Sequence, residues 1–190
     1  MFSKVIFLDI DGVIQPINSK IRFEHIPEFD KISEELSQKF GVDYCQYHPY
    51  DVGAVYFDWD KTALELLQGI LDKTGAKIVI SSDWRLSGGL ERMLDFFKIY
   101  GMDQYIVDIV PPNSGDLICD WIKETPEYKG IPWRSIEILE YLKAHPHIQK
   151  YVAIDDLPLD RGLGKFAVIT EEVMTQKDAN KCIRILNSKK

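Results

Sequence analysis

Val5-Ile6-Phe7-Leu8-Asp9-Ile10-Asp11-Gly12-Val13 decides how this chain is read. Four apolar residues in a row specify a strand buried on both faces, and two carboxylates at alternate positions follow where that strand leaves the sheet. An ionised carboxylate is costly to bury without a partner, so the pair belongs at a strand end, close to solvent and a cation. Gly12 lets the chain turn away sharply. Asp-x-Asp-Gly also opens calcium-binding loops, but such a loop needs a preceding helix and a bidentate Glu at its last position. Counted from Asp9, that position is Lys20, which cannot ligate a cation.

Outward from this stretch, the pattern alternates between helix and strand. Residues 15 to 57 form an insertion in which Phe29, Ile32, Leu36 and Phe40 recur at helical spacing, with Asp30 as a candidate cap and Gly41 as a stop. Its other aromatics (Tyr44, Tyr47, Tyr50, Tyr56, Phe57) read as the core of a small lid over the end of the first strand, with Tyr44, Tyr47, Tyr50 and Tyr56 as candidate contacts for a molecule in the crevice. From Asp58 a helix carries Ala63, Leu64, Leu67, Ile70 and Leu71 to a stop at Gly75, and Lys77-Ile78-Val79-Ile80 follows as a second buried strand ending in Ser81-Ser82-Asp83-Trp84-Arg85. A helix with Leu86, Leu90, Met93, Leu94 and Phe97 leads to a third strand near Tyr105 to Val110. Residues 111 to 133 break the regularity, with a short helical turn expected around Leu117 to Ile122. A helix over Arg134 to Ala144, a strand Tyr151-Val152-Ala153-Ile154 running into Asp155-Asp156, a fifth strand Phe166 to Ile169 and a last helix capped by Thr175 complete the chain. This order predicts an α/β fold with a parallel sheet sandwiched by helices.

Composition narrows the function. With 190 residues, 45% hydrophobic and 28% charged, the chain suits one compact domain with a small insertion. No apolar run approaches the roughly 20 residues that cross a bilayer, and the first residues lead straight into a strand, so a cytoplasmic protein without a membrane partner is expected. Cys45, Cys119 and Cys182 are odd in number and widely spaced, which favours neither disulfides nor a zinc site. A formal charge of -7 disfavours extended nucleic-acid binding.

Three buried strands thus end in polar groups: Asp9 with Asp11, Ser81, and Asp155 with Asp156. In a parallel sheet those ends share one edge. Two like charges ~4 Å apart repel by roughly 4 kcal/mol at an effective dielectric near 20, so the carboxylates need a cation; oxygen-only ligands favour Mg2+.

Asp9-Ile10-Asp11-Gly12-Val13, Ser81 and Ile154-Asp155-Asp156 resemble, in order, the first, second and fourth motifs of the haloacid dehalogenase-like (HAD) hydrolases, which are mostly Mg2+-dependent phosphatases with a Rossmann-like sheet. Ser81-Ser82-Asp83-Trp84-Arg85, Trp133-Arg134-Ser135-Ile136-Glu137-Ile138 and Val152-Ala153-Ile154-Asp155-Asp156 look like the branch linked to Swiss Army Knife RNA-repair systems. The resemblance implies that Asp9 is the nucleophile, taking the phosphoryl group as an aspartyl phosphate. Asp11 is then the acid that protonates the leaving oxygen and later the base that activates water. Asp9, the main chain of Asp11, Asp155 and Asp156 would hold Mg2+, with Asp160 as a weaker candidate. Ser81 and Ser82 would contact phosphoryl oxygens. Arg85 reads either as a further phosphate contact or as a solvated charge, and Trp84 as a packing residue. The third motif departs from the family pattern, which places a Lys there; Arg134 is the choice, with Lys129 and Lys150 as alternatives. The expected activity is phosphomonoester hydrolysis on a small phosphorylated molecule or an exposed phosphorylated end. The competing expectation is a silent HAD-like domain that binds phosphorylated ligands or a protein. Asp11 disfavours dehalogenation, since a halide needs no acid.

Overall fold

The computed structural model describes residues 2–111 and 125–188; the helical turn expected at Leu117 to Ile122, and Cys119 within it, lie outside these. Strands β1 (Lys4–Leu8), β2 (Lys77–Ile80), β3 (Ile106–Ile109), β4 (Lys150–Asp155) and β5 (Ala167–Ile169) form one parallel sheet in the order β3-β2-β1-β4-β5. The helices are α1 (Phe29–Phe40), α2 (Pro49–Gly53), α3 (Lys61–Thr74), α4 (Gly89–Lys98), α5 (Trp133–Ala144), α6 (Asp160–Leu163) and α7 (Gln176–Asn187). The architecture is therefore α/β and Rossmann-like, as the alternation predicts.

The apolar run of β1 is divided between two cores. Val5 and Phe7 join Val79, Ala153 and Ala167 under Ile138 and Tyr141 of α5 and Leu163 of α6. Ile6 and Leu8 point the other way, joining Ile78, Ile80, Val152 and Ile154 beneath α3, α4 and α7. Each such side chain, fully buried, contributes about 1.5–3 kcal/mol, so a polar residue in place of any of Val5 to Leu8 would be strongly destabilising. Among the described residues, no helix is long and apolar enough to cross a membrane.

Helix ends follow local chemistry in most places. Asp60 accepts from the Ala63 amide at 2.7 Å to start α3, and Gly75 in the left-handed conformation ends it. Thr175 and Asp178 cap α7 reciprocally. Two expectations fail. Asp30 does not cap α1, because the helix begins at Phe29, where it continues the coiled turns Ile21–Glu24 and Ile26–Glu28. Leu86 lies outside α4, in a turn where it is largely exposed; Gly88 and the first residue of the helix, Gly89, both at positive φ, break the run between that turn and the helix.

The insertion after β1 shares the main core through Ile32, Leu36, Tyr44 and Val52. Its polar groups bolt it to α4 and the chain just beyond. Tyr44 Oη donates to the Asp95 carbonyl at 2.6 Å, Tyr47 Oη to Asp95 Oδ2 at 2.5 Å, and Tyr100 Oη to the Val55 carbonyl at 2.6 Å, while Arg92 pairs with Asp51 at 2.6 Å. The start of the insertion is tied to its end, since buried Asp58 accepts from Ser19 Oγ at 2.7 Å and pairs with Arg22 at 3.1 Å. Tyr44 and Tyr47 therefore anchor the insertion with their hydroxyls and do not offer them to a substrate; Tyr50 and Tyr56 are exposed.

Candidate active site

The chain leaves β1, runs outward through β2 and β3, then returns to place β4 on the other side of β1. Such a reversal opens a crevice at the carboxyl ends of the strands. Ladder bonds continue one residue past the strand ends and fix the site. The Asp9 amide donates to the Ile154 carbonyl at 3.0 Å, the Ser81 amide to the Leu8 carbonyl at 2.9 Å, and the Thr170 amide to the Asp155 carbonyl at 3.0 Å. Asp9, Ser81 and Asp155 thus sit on rigid backbone.

The loop after Asp9 is as tightly held. The amides of Val13, Ile14 and Gln15 all donate to the Ile10 carbonyl, Thr170 Oγ1 donates to the Gly12 carbonyl at 2.6 Å, and the Asp60 amide donates to the Ile14 carbonyl at 2.7 Å. Gly12 has φ 71° and lies so close to Asp156 that a Cβ would stand 2.6 Å from the Asp156 Cβ. Only glycine meets both demands.

Asp9, Asp155 and Asp156 bring carboxylate oxygens within 4.8 Å of one another. Burial pushes the Asp9 carboxyl up to about 6, against Arg134 and hydrogen bonds from Ser82 and the Ile10 amide. Burial and the neighbouring Asp9 charge push Asp155 up to about 7. Asp155 Oδ2 is buried without a hydrogen-bond partner among the described residues. Repelling carboxylates with an orphaned oxygen fit a hard cation of the Mg2+ type, which takes oxygen ligands and relieves the repulsion. Asp160 stands apart from this group, exposed at the start of α6.

Arg134 enters from the first turn of α5. Its Nη1 lies 3.7 Å from both Asp9 Oδ1 and Asp155 Oδ2 and donates to the Ser81 carbonyl; its Nη2 donates to Asp83 Oδ1 at 2.6 Å. Lys150 begins β4 at the opposite end of the sheet and donates to the Ser188 carbonyl, while Lys129 is exposed in the chain before α5.

Asp11 stands at the crevice mouth, its Oδ1 accepting from Gln15 Nε2 at 2.7 Å and its Oδ2 from Trp84 Nε1 at 3.0 Å. Partial burial raises its pKa while the Trp84 hydrogen bond pulls it down. Trp84 packs on Trp59 and Phe96 as expected of an aromatic there, but its indole N–H also orients the carboxyl of Asp11. The sequence holds no sign of that bond beyond the adjacency of Trp84 to Ser81-Ser82. If Asp11 is the acid that the motif resemblance implies, Trp84→Phe should cut kcat about tenfold, part of what a well-placed acid supplies. Because the lost hydrogen bond favoured ionised Asp11, the alkaline limb of the pH profile should move to higher pH; an unmoved limb would show that Trp84 only packs.

Ser81 Oγ is buried without a hydrogen-bond partner among the described residues, whereas Ser82 Oγ caps the next turn by accepting from the Trp84 amide. Arg85 is not a solvated charge. It is 3% exposed, with Nη2 on Glu137 Oε2 at 2.8 Å. Sequence reasoning missed Glu137 as a partner.

Residues 5–179 match the family described as the HAD domain in Swiss Army Knife RNA repair proteins, and the chain belongs to that family. No curated protein and no solved structure matches it.

Proposed function

We propose that this member of the HAD family is a Mg2+-dependent phosphomonoester hydrolase that works through a phosphoaspartate on Asp9. The observation that carries the reading is the convergence, on one sheet edge, of Asp9 with the buried Ser81 hydroxyl, the Arg134 guanidinium and the acidic pair at the end of β4. Asp9, Asp155, Asp156 and the Asp11 main chain would hold Mg2+. When bound, the ion supplies charge neutralisation for the carboxylates and for the transferring phosphoryl oxygens.

The Asp9 carboxylate attacks phosphorus, its orientation fixed by the Ile10 amide donating to Oδ1 at 2.9 Å. The bond from phosphorus to the leaving oxygen breaks, and Asp11 gives that oxygen its proton. Ser81 and Arg134 stabilise the equatorial oxygens. Water, deprotonated by Asp11, then attacks phosphorus; the acyl phosphate bond breaks, releasing phosphate and restoring Asp9. A silent binding domain would need the phosphate cradle but not an acid held by two hydrogen bonds two residues from the nucleophile.

Substrates are small phosphomonoesters or an exposed phosphorylated end, in keeping with the RNA-repair description of the family and with a net charge of -7 that opposes extended nucleic acid. The site of action is the cytoplasm. The purified protein should hydrolyse an aryl phosphate with Mg2+, stop with chelator, and work poorly with Ca2+, whose larger and looser shell misplaces the reacting groups. Full activity in chelator would refute the metal dependence, and no hydrolysis of any phosphomonoester in a broad panel would refute the reaction.

A further inference from the structure

Two arginines and one glutamate, Arg85, Arg134 and Glu137, lie buried together beside the carboxylate cluster. Glu137 follows Arg134 by one turn of α5; its Oε2 accepts from Arg85 Nη2 at 2.8 Å and lies 3.5 Å from Arg134 Nε. Arg85 Nη1 donates to the carbonyls of Ser81 at 3.1 Å and Ser82 at 2.8 Å, and Arg134 donates to the same Ser81 carbonyl. Both guanidiniums therefore converge on the residue whose hydroxyl has no partner among the described residues. Two cations this close repel; Glu137 offsets that repulsion from the buried side, and Asp83 does so as well, its Oδ1 lying 2.6 Å from Arg134 Nη2 and 3.5 Å from Arg85 Nη1. Burial and the Arg134 charge pull the Arg85 pKa down, and Glu137 holds it up. Stability alone gives little reason for such a triad, since well-packed apolar side chains of the same volume would serve as well. A planar fork, by contrast, must be fixed from behind if its front is to meet two carboxylates and a phosphate.

Resting on the phosphatase reading, we infer that Glu137 is a positioning residue for Arg134, with Arg85 tying the pair to the end of β2. Glu137 touches no reacting atom. It sets the rotamer of the guanidinium that does, so its effect exists only while Arg134 is present.

The test is a double-mutant cycle on kcat/KM for an aryl phosphate with Mg2+. Glu137→Gln should lower kcat/KM about tenfold in the otherwise native enzyme, and raise the inhibition constant of inorganic phosphate by a similar factor, but change kcat/KM less than twofold in the Arg134→Ala background. Glu137→Asp, which keeps the charge, should recover part of the loss. A merely structural role would give the same loss in both backgrounds, and that result, or no loss in either, would overturn the inference while leaving the phosphatase reading intact. If Glu137→Gln does not fold, Arg85→Lys enters the same cycle with the same two outcomes. A wild type that hydrolyses nothing would sink the phosphatase reading instead; the cycle is then read in the affinity for inorganic phosphate, where equal losses would again overturn the positioning role.

Discussion

Asp9→Asn should reduce kcat by at least about 10^4-fold, as expected for removal of a nucleophile, and should raise the melting temperature of the metal-free protein near neutral pH. The two effects have one cause. Asp9 is held where its charge is useful to chemistry and costly to the fold: it is 6% exposed, its carboxyl is pushed up to about 6 by burial, and its charge adds to the burial that pushes Asp155 up to about 7. A carboxyl whose folded pKa lies above its unfolded value adds stability at low pH, and that contribution is lost as pH rises through the folded pKa. The metal-free wild type should therefore lose stability between about pH 4 and pH 7, and Mg2+ should restore it. Asparagine keeps the acceptor for the Ile10 amide and removes the charge, so the variant should be more stable near neutral pH by an amount on the order of 2 kcal/mol. Thermal melts across pH, with and without Mg2+, check the second half, and steady-state kinetics the first. An active variant would exclude Asp9 as nucleophile; an inactive one that is less stable without metal would show that Asp9 is structurally satisfied as a carboxylate.

The sheet and the residues at its strand ends were legible because each signal is local. Val5 to Leu8 can be apolar on both faces only in a strand covered on both sides, and Asp9, Ser81 and Asp155 each follow such a strand directly, so their convergence needs only parallel order. What the sequence did not carry are side-chain directions set by tertiary contact. Arg85 and Glu137 are 52 residues apart, and neither spacing nor composition says that one will turn inward to meet the other. Trp84 is apolar enough to be read as packing, and its indole N–H finds Asp11 only because the turn after β2 faces the loop after β1. The tyrosines of the insertion suggest a contact surface by composition, yet Tyr44 and Tyr47 spend their hydroxyls on Asp95. Leu86 matches a helical pattern that two positive-φ glycines interrupt.

Arg134→Ala should lower kcat/KM by at least about 100-fold, the ~2.7 kcal/mol that removal of a preorganised donor at a transferring phosphoryl group costs. Arg134 Nη1 stands 3.7 Å from both Asp9 and Asp155, close enough to neutralise the pair and to share their space with phosphoryl oxygens. Lysine occupies this role in the pattern the family usually shows, but Arg134→Lys should not restore full activity here. A single ammonium cannot hold the Ser81 carbonyl, Asp83 and both carboxylates at once, so a residual loss of about tenfold is expected. Lys150→Ala should stay within about twofold of wild type, because that side chain lies at the far end of β4, roughly 16 Å away at 3.3 Å per residue. Lys129→Ala should do the same from its exposed position before α5. If either lysine variant is the crippled one and Arg134→Ala is not, the third-motif charge has been assigned to the wrong residue, while Asp9, Ser81 and the acidic end of β4 would keep their roles.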